Sequence, residues 1–291
     1  MTVSRRSLLG IQRVLLSSLL GLVTLVSCSV HAAKPPAIAA AANVKFALDE
    51  IVTNFTAETG LKLRVSYGSS GNFVAQIQHG APFEMLLSAD EFYVQQLHKA
   101  GKTDSDGDIY AIGKLALVAP NNSSLKLDPQ LTGLAEAVKQ GEIKRFVIAN
   151  PAHAPYGERA QALLTEQQLW SDLKSTIIMG ENVSQAAQFA LSGSAQGGIV
   201  ALSLASAPQF TKMGRYVEIP QSFYQPINQR MVMTPKAGDT TKQFYQYMQT
   251  SAAQQVLKSY GFGFPANADD KHHLHQPKLS SPRPRQQVAE Q

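Results

Sequence analysis

Four predicted helices begin with small, polar or glycine residues, and these starts are where the sequence offers chemistry. They read Ala42-Asn43, Ser69-Ser70-Gly71, Pro155-Tyr156-Gly157 and Asn182-Val183-Ser184. A helix start carries unpaired backbone N–H groups and the positive end of the helix dipole, and Asn and Ser side chains add further donors. Several such starts facing one cleft would form an anion site without Arg or Lys. Asn43 and Ser70 are also typical of ordinary N-caps, so spacing alone leaves both interpretations open.

Motifs of catalysis, metal binding and nucleotide binding are missing from the sequence. It contains no Walker A sequence, no H-E-x-x-H, no C-x-x-C and no G-x-S-x-G. His79 and His98 fall near the ends of amphipathic helices, where surface residues are expected rather than catalytic bases. The single cysteine excludes an internal disulfide and a cysteine-based metal cluster. We therefore predict a protein that is not an enzyme and needs no cofactor.

The net charge of +5 comes mostly from the two ends of the chain. Residues 1–32 contribute +3 and residues 266–291 contribute +1, which leaves 19 basic and 18 acidic residues at positions 33–265. This body has no run of Lys or Arg and no alternation of basic with aromatic residues. Binding to a nucleic-acid backbone requires several clustered bases, so we expect no nucleic-acid partner.

The N-terminus has the pattern of an export signal. Three arginines precede the apolar run Val14–Val26, and small residues follow it up to Ala32. A basic region, a short apolar region and a small-residue cleavage site are typical of a secretory signal peptide, here residues 1–32. The apolar run is shorter than the roughly 20 residues of a membrane-spanning helix. We therefore expect the mature protein to work outside the cytoplasm, in the periplasm.

Two routes of signal processing remain open. Val30-His31-Ala32 fits cleavage after Ala32, whereas Leu25-Val26-Ser27-Cys28 resembles a bacterial lipobox that would make Cys28 a lipidated N-terminus and membrane anchor. Ser4–Leu9 resembles a twin-arginine signal, which leaves the export pathway open as well.

Strand and helix patterns alternate along the body of the chain. Strands are predicted at Leu61–Tyr67, Phe83–Leu87, Ile109–Val118, Arg145–Ala149, Ser175–Met179, Gly198–Leu202, Tyr216–Ile219 and Arg230–Met233. Helices are predicted at Val44–Thr59, Phe73–His79, Glu91–Ala100, Leu131–Val138, Glu158–Trp170, Ser184–Leu191 and Thr241–Tyr260. This alternation indicates an α/β protein whose two halves each have a mostly parallel sheet flanked by helices.

The last 26 residues, 266–291, differ in composition from the body. They hold charged, His, Pro, Gln and Ser residues and hardly any apolar residue, so a disordered tail is predicted. His272, His273 and His275 invite a metal-capture role. With no partner ligands nearby in the sequence, a solvated tail is the favoured interpretation.

Over residues 37–264 the chain resembles the periplasmic molybdate-binding proteins of ABC transporters. The matching segments are Ala40–Asn43, Tyr67–Asn72, Ala75–Glu84, Leu87–Asp90, Ala111–Pro120, Asn150–Gly157, Phe244–Met248 and Lys258–Phe262. Each segment is weak alone, but their order along the chain is specific. The resemblance implies the two-lobed fold of type II periplasmic binding proteins, with the ligand in the cleft between the lobes.

The resemblance also implies where the lobes begin and end. Lobe 1 would comprise residues 33–118 and 231–265, and lobe 2 residues 119–230. The chain would cross between them near Ala119-Pro120 and again within Gln225–Arg230.

In this family the oxyanion is held by neutral donors, and the matching motifs imply where they lie. Asn43 stands where many members have Ser, and Ser70 would donate its hydroxyl proton. Tyr156, after the N-P-x-H-x-P turn, and Val183 would each supply a backbone N–H.

One donor of the family pattern is absent. Many members carry a Tyr in a G-I-V-Y segment, but here Gly198-Ile199-Val200 is followed by Ala201. The N–H of Ala42 or of Asn43 is expected to complete the site instead.

The resemblance implies a monomeric receptor that captures molybdate, or tungstate of nearly equal size and charge, and delivers it to an ABC permease. A ring of donors fits a tetrahedral dianion. It fits protonated phosphate poorly, because the phosphate O–H would find no acceptor. A receptor for another oxyanion, such as sulfate or thiosulfate, is the alternative on the same fold, and a secreted enzyme is a weaker one.

Overall fold

The structure, a computed structural model, describes residues 34–265 of the chain. The predicted signal peptide with Cys28 and the predicted tail 266–291 therefore lie outside the described residues. Residues 36–265 belong to one compact unit. Within this described part, no helix is both long enough and apolar enough to cross a lipid bilayer.

The first sheet has five strands in the order β2-β1-β3-β10-β4. These strands are β1 Ala37–Ala41, β2 Arg64–Gly68, β3 Phe83–Leu87, β4 Asp108–Gly113 and β10 Ile227–Met233. β1 pairs in parallel with β2 and β3, whereas β10 is antiparallel to both β3 and β4. All five residues of the alanine-rich β1 are buried, as expected of a parallel strand covered on both faces.

The second sheet repeats this plan in the order β7-β6-β8-β5-β9. Its strands are β5 Leu115–Pro120, β6 Phe146–Ala149, β7 Ile177–Gly180, β8 Gly197–Ala201 and β9 Gly214–Glu218. β6 pairs in parallel with β7 and β8, while β5 is antiparallel to β8 and β9. Each sheet is therefore mixed, with one strand running against the others.

Helices pack against both sheets and connect their strands. They are α1 Lys45–Thr59, α2 Ser70–Gln78, α3 Glu91–Lys99, α4 Thr132–Lys139, α5 Pro155–Glu166, α6 Trp170–Leu173, α7 Val183–Leu191, α8 Leu202–Ala205, α9 Pro208–Thr211, α10 Asp239–Tyr247 and α11 Ser251–Ser259, with 3-10 turns at Ala42–Val44 and Gln221–Phe223. In α1 the buried Ala47, Leu48, Ile51 and Phe55 recur at helical spacing, and Gly60 ends the helix with a φ of 72°.

Four parallel strands lead at their carboxyl ends toward helix starts. β1 is followed by the turn Ala42–Val44, β2 by α2, β6 by α5 and β7 by α7. The carboxyl ends of parallel strands share one edge of a sheet, and ligands of open α/β sheets bind at that edge. The topology therefore gathers these helix starts at one edge of each sheet.

The chain crosses between the sheets at places that differ from the predicted boundaries. The predicted strand Ile109–Val118 is two strands, β4 and β5, which lie in different sheets and are separated by Lys114 alone. Leu115–Val118 therefore lie in the second sheet and Ile227–Arg230 in the first. The sequence does not show where the chain passes from one sheet to the other, because the same apolar residues fit the core of either sheet.

Two predicted helices are each divided in two. Thr241–Tyr260 comprises α10 and α11, because the Thr250 side chain caps α11 by accepting the N–H of Ala253 at 3.3 Å. Glu158–Trp170 lies across α5 and the start of α6, and Gln168 between them has a φ of 58°, which a continuous helix does not allow. Both breaks occur at polar residues that also suit a helix surface, so periodicity did not reveal them.

Asp90 is a buried N-cap whose charge is costly. Its Oδ1 accepts the N–H of Tyr93 at 3.2 Å at the start of α3. Burial raises the pKa of Asp90 from the ordinary 3.8 to about 6. Between these values the folded protein binds the proton more tightly than the unfolded chain does, so the contribution of Asp90 to folding stability falls as the pH rises.

We expect Asp90→Asn to raise the free energy of unfolding by about 1–2 kcal/mol near pH ~7.5 and to change it little near pH ~4, since Asn keeps the cap without the charge. Denaturant unfolding at the two pH values measures the difference. Asp172→Asn, at an exposed position in the first turn of α6, is the matched control. An equal gain at both pH values would contradict the role given to the buried charge.

Candidate functional site

One buried cavity lies where helix starts from the two sheets come together. Its volume, measured as the space open to the centre of a water-sized sphere, is about 10 Å³. Its lining residues are Ala41, Ala42, Asn43, Gly68, Ser69, Ser70, Ala89, Ala154, Pro155, Tyr156 and Val183. The structure thus brings together every residue predicted for the site, namely Ala42, Asn43, Ser70, Tyr156 and Val183. All five are buried, and none of the lining side chains is a carboxylate, a lysine, an arginine or a histidine.

Ser70 has a hydroxyl proton available for a ligand. It is the first residue of α2 and is completely buried. Its Oγ accepts the N–H of Ala89 at 2.9 Å, and no acceptor for its hydroxyl proton is found within the described residues. The bond from Ala89 therefore holds the oxygen in place and leaves the proton to donate.

The start of α7 leaves one backbone N–H unused. Asn182 caps this helix, and its Oδ1 accepts the N–H groups of Ser184 at 3.0 Å and Gln185 at 3.1 Å. The N–H of Val183 has no acceptor in the part of the chain that the structure describes. Since Val183 lines the cavity, this N–H is available to an anion.

The start of α5 also leaves one backbone N–H without a partner, here because of a proline. Pro155 occupies the first turn and has no N–H to satisfy. The N–H of Gly157 is bonded to the Ala154 carbonyl at 2.9 Å. Among residues 34–265, no acceptor is found for the N–H of Tyr156, which also lines the cavity.

A buried hydrogen-bond network joins the sheets behind the cavity. Asn43 Nδ2 donates to Gln229 Oε1 at 2.9 Å and to the Tyr156 hydroxyl at 3.4 Å. Gln229 Nε2 donates to the same hydroxyl at 3.0 Å, and the Tyr110 hydroxyl lies 2.7 Å from Gln229 Oε1. Burial raises the pKa of Tyr110 and of Tyr156 well above the ordinary 10.0, so both phenols stay neutral.

Sequence reasoning missed Gln229 and Tyr110, and it assigned Tyr156 a role for its N–H alone. Gln229 lies in β10 and Tyr110 in β4, and both are buried. A buried glutamine in a strand would be a signal if its burial were known. The two-residue period of β10 places Gln229 on the same buried face as Ile227 and Met231, and this spacing was the signal in the sequence that could have found it.

Polar contacts close the cleft beside the cavity. The Gly71 N–H donates to the His153 carbonyl at 3.0 Å, and His153 Nδ1 lies 3.0 Å from Ser69 Oγ. Asn72 Nδ2 donates to Glu181 Oε1 at 2.6 Å. A Cβ on Gly71 would lie 2.9 Å from the His153 carbonyl oxygen, so glycine is needed for this close approach. These contacts shield the cavity from solvent.

Ala201, the position of the missing family Tyr, is buried at the end of β8 and does not line the cavity. Ala42 does line it. The expectation that the Ala42 or Asn43 N–H completes the donor set therefore stays a prediction, now with Ala42 located at the cavity wall.

The arrangement is suited to holding an anion rather than to transforming it. The walls offer hydroxyl and N–H donors in a water-poor space, where hydrogen bonds to a charged acceptor are strong. Tyr156 is the one titratable residue among the lining residues, and its raised pKa keeps it neutral. Among the lining residues, Ser69 is the one whose hydroxyl lies beside a base, with Oγ 3.0 Å from Nδ1 of His153, which does not itself line the cavity.

Comparisons of sequence identify relatives along most of the chain. A family model described as bacterial extracellular solute-binding protein matches residues 37–263. The molybdate-binding protein ModA of Azotobacter vinelandii is 34% identical over 242 residues, which are 82% of this chain and 93% of that protein. ModA of Rhodobacter capsulatus is 31% identical over 227 residues, 77% of this chain and 86% of that one.

Solved structures agree with the sequence relatives. The periplasmic molybdate-binding protein of Azotobacter vinelandii matches with a TM-score of 0.72 and 30% identity, covering 79% of this chain and 100% of that chain. The sulfate-binding protein SubI of Mycobacterium tuberculosis, at a TM-score of 0.66 and 16% identity, covers 78% of this chain and 86% of its own and is similar in fold alone. The comparisons confirm the predicted resemblance, the two-lobed α/β fold and a binding protein rather than an enzyme.

We expect Gly113→Ala to lower the free energy of unfolding by about 1–3 kcal/mol, because the added Cβ would overlap the Tyr156 hydroxyl and lie 2.5 Å from Gln229 Nε2. Chemical denaturation measures this loss. Gly263→Ala is the matched control, since its Cβ would approach no closer than 3.5 Å, to Ile112. Equal free energies of unfolding in the two variants would show that the buried network accommodates the added methyl group without loss of stability.

Proposed function

This chain belongs to the family of bacterial extracellular solute-binding proteins, and from that membership we propose that it captures molybdate, and tungstate as well, in the cavity between its two sheets. One observation carries the proposal: hydroxyl and N–H donors surround a buried cavity that has no charged wall. The chain is also 34% identical to a protein named for binding molybdate.

The proposed ligand contacts are all neutral donors. They are the Asn43 side chain, the Ser70 hydroxyl and the backbone N–H groups of Tyr156, Val183 and Ala42. The Ala42 N–H takes the place of the donor that a Tyr at position 201 would supply. About five to seven short, charge-assisted hydrogen bonds suffice for a tetrahedral dianion; these donors reach the lower end of that range, and the Ser70 N–H would add one more.

Selectivity follows from the size and the polarity of this ring of donors. A wider ring fits molybdate and tungstate better than the smaller sulfate. Protonated phosphate is disfavoured when Asn43 presents Nδ2 to the ligand, because the ring then offers no acceptor for the phosphate O–H, and an unpaired buried donor is costly. Molybdate and tungstate, which have nearly equal size and charge, are both expected to bind.

Delivery to a permease of an ABC importer completes the proposed function. The closed cleft shields the cavity, so release requires the two lobes to separate, as in the hinged closure of other periplasmic receptors. The N-terminal residues 1–32 would export the chain as a monomer to the periplasm, and a lipid on Cys28 would hold it at the membrane if processing follows that route.

We expect molybdate and tungstate to raise the thermal unfolding temperature, because a ligand that binds only the folded state stabilises it, by about 2.7 kcal/mol at 100 times its Kd. Sulfate, thiosulfate and phosphate at the same concentration should have little effect. Thermal denaturation with each anion, using the chain without residues 1–32, makes the measurement. Stabilisation by sulfate or thiosulfate in place of molybdate would assign the protein to the alternative, and no effect of molybdate would refute the proposal.

We expect Ser70→Ala to weaken molybdate binding by about 1–3 kcal/mol, because a buried charged acceptor would lose a donor. Calorimetric titration measures the affinity. Ser251→Ala is the matched control, since Ser251 also begins a nine-residue helix but is exposed. Unchanged affinity in Ser70→Ala would remove Ser70 from the site.

A further inference from the structure

Asn43 lines the cavity and is buried, but one polar atom of its side-chain carboxamide has no hydrogen-bond partner within the described residues. Its Oδ1 is shielded from solvent and accepts no hydrogen bond within the described residues. Its Nδ2 donates instead to Gln229 and Tyr156. A buried acceptor without a donor is unfavourable by itself, and beside an anion it would also meet negative charge.

Rotating the side-chain carboxamides of Asn43 and Gln229 by a half-turn removes this conflict. The oxygen and nitrogen of a carboxamide have nearly the same shape, so a half-turn exchanges them without changing the packing. If Asn43 and Gln229 both turn, Gln229 Nε2 donates to Asn43 Oδ1 across the same 2.9 Å. The Tyr156 hydroxyl then donates to Gln229 Oε1 across 3.0 Å. Asn43 Nδ2 takes the position of the unpartnered oxygen.

A backbone carbonyl at the far end of the network can accept the Tyr110 proton in the turned arrangement. The Tyr110 hydroxyl lies 2.7 Å from the Gln229 carboxamide and 3.3 Å from the Ser88 carbonyl oxygen. When Gln229 is turned and presents Nε2 to Tyr110, the Tyr110 hydroxyl accepts from Nε2 and donates its proton to the Ser88 carbonyl, which only accepts. Every buried polar atom of the network then has a partner except Asn43 Nδ2, which is free for a ligand.

We propose that Gln229 is the positioning residue that turns Asn43 Nδ2 toward the bound oxyanion, an inference that rests on the proposed function because it requires an anion in the cavity. A carboxamide presents a donor or an acceptor according to how it is turned. The residue that fixes the orientation of the Asn43 carboxamide therefore determines whether Asn43 adds a donor or an acceptor to the cavity wall. Gly113 supports this role, since a Cβ there would displace both Gln229 and Tyr156.

The side-chain amide resonances of Asn43 report the orientation directly. In nitrogen-15-labelled protein they are the NH2 pair that Asn43→Ala removes from the spectrum. We expect this pair to shift when molybdate saturates the wild-type protein. A pair that does not respond to bound molybdate would show that Nδ2 faces Gln229, and it would overturn the proposal.

Calorimetric affinities separate positioning from a general structural role. Gln229→Met keeps the length of the side chain and removes both polar ends. We expect about 10-fold weaker molybdate binding when Asn43 is present, and less than about 2-fold in the Asn43→Ala background, where no amide remains to be turned. An equal loss in both backgrounds, or no loss in either, would overturn the proposal.

Failure of this inference is distinguishable from failure of the proposed function. Wild-type protein that does not bind molybdate would refute the function before any variant is compared, whereas the inference is tested only on protein that binds. If thermal unfolding shows that Gln229→Met does not fold, Tyr110→Phe is measured in the same two backgrounds. We then expect about 3-fold weaker binding with Asn43 and no change without it, and equal losses would overturn the proposal.

Discussion

An anion buried without a counter-charge must be surrounded by donors, and the architecture depends on where donors remain unused. Backbone N–H groups inside helices are already bonded, so spare ones occur at first turns. The two sheets bring the first turns of α2, α5 and α7 to one cavity from the carboxyl ends of parallel strands. Local capping then selects the donor, since Asn182 uses two N–H groups of α7 and leaves that of Val183.

The same cavity depends on contacts that can be broken. The hydrogen bonds across the cleft, from Gly71 to His153 and from Asn72 to Glu181, are polar contacts that water could replace. Lys114 alone separates β4 in the first sheet from β5 in the second. These polar contacts are joined by an apolar one, since the rings of Phe46 in α1 and Phe210 in α9 lie 6.1 Å apart, edge to face.

Much of the fold could be predicted from the sequence because most elements carry a local signal. α1 has its buried residues at helical spacing and a terminating glycine, Gly60, so its prediction needed no knowledge of its neighbours. Prediction failed where two outcomes share one pattern. The apolar run across Lys114 suits either sheet, and the polar surface at Thr250 suits both a continuous helix and a break. Only the packing of the neighbouring strands and helices distinguishes these cases.

The sequence by itself determined which helix starts line the cavity and that their residues carry no charge. Helix capping and the chemistry of a first turn depend on neighbouring positions in the chain, so both can be read from the sequence. Only the tertiary structure decided the surroundings of Asn43. Its contact with Gln229 spans 186 positions, and that of Gln229 with Tyr110 spans 119. A buried hydrogen bond between distant strands depends on how the strands pack, and this leaves no trace in the pattern of neighbouring residues.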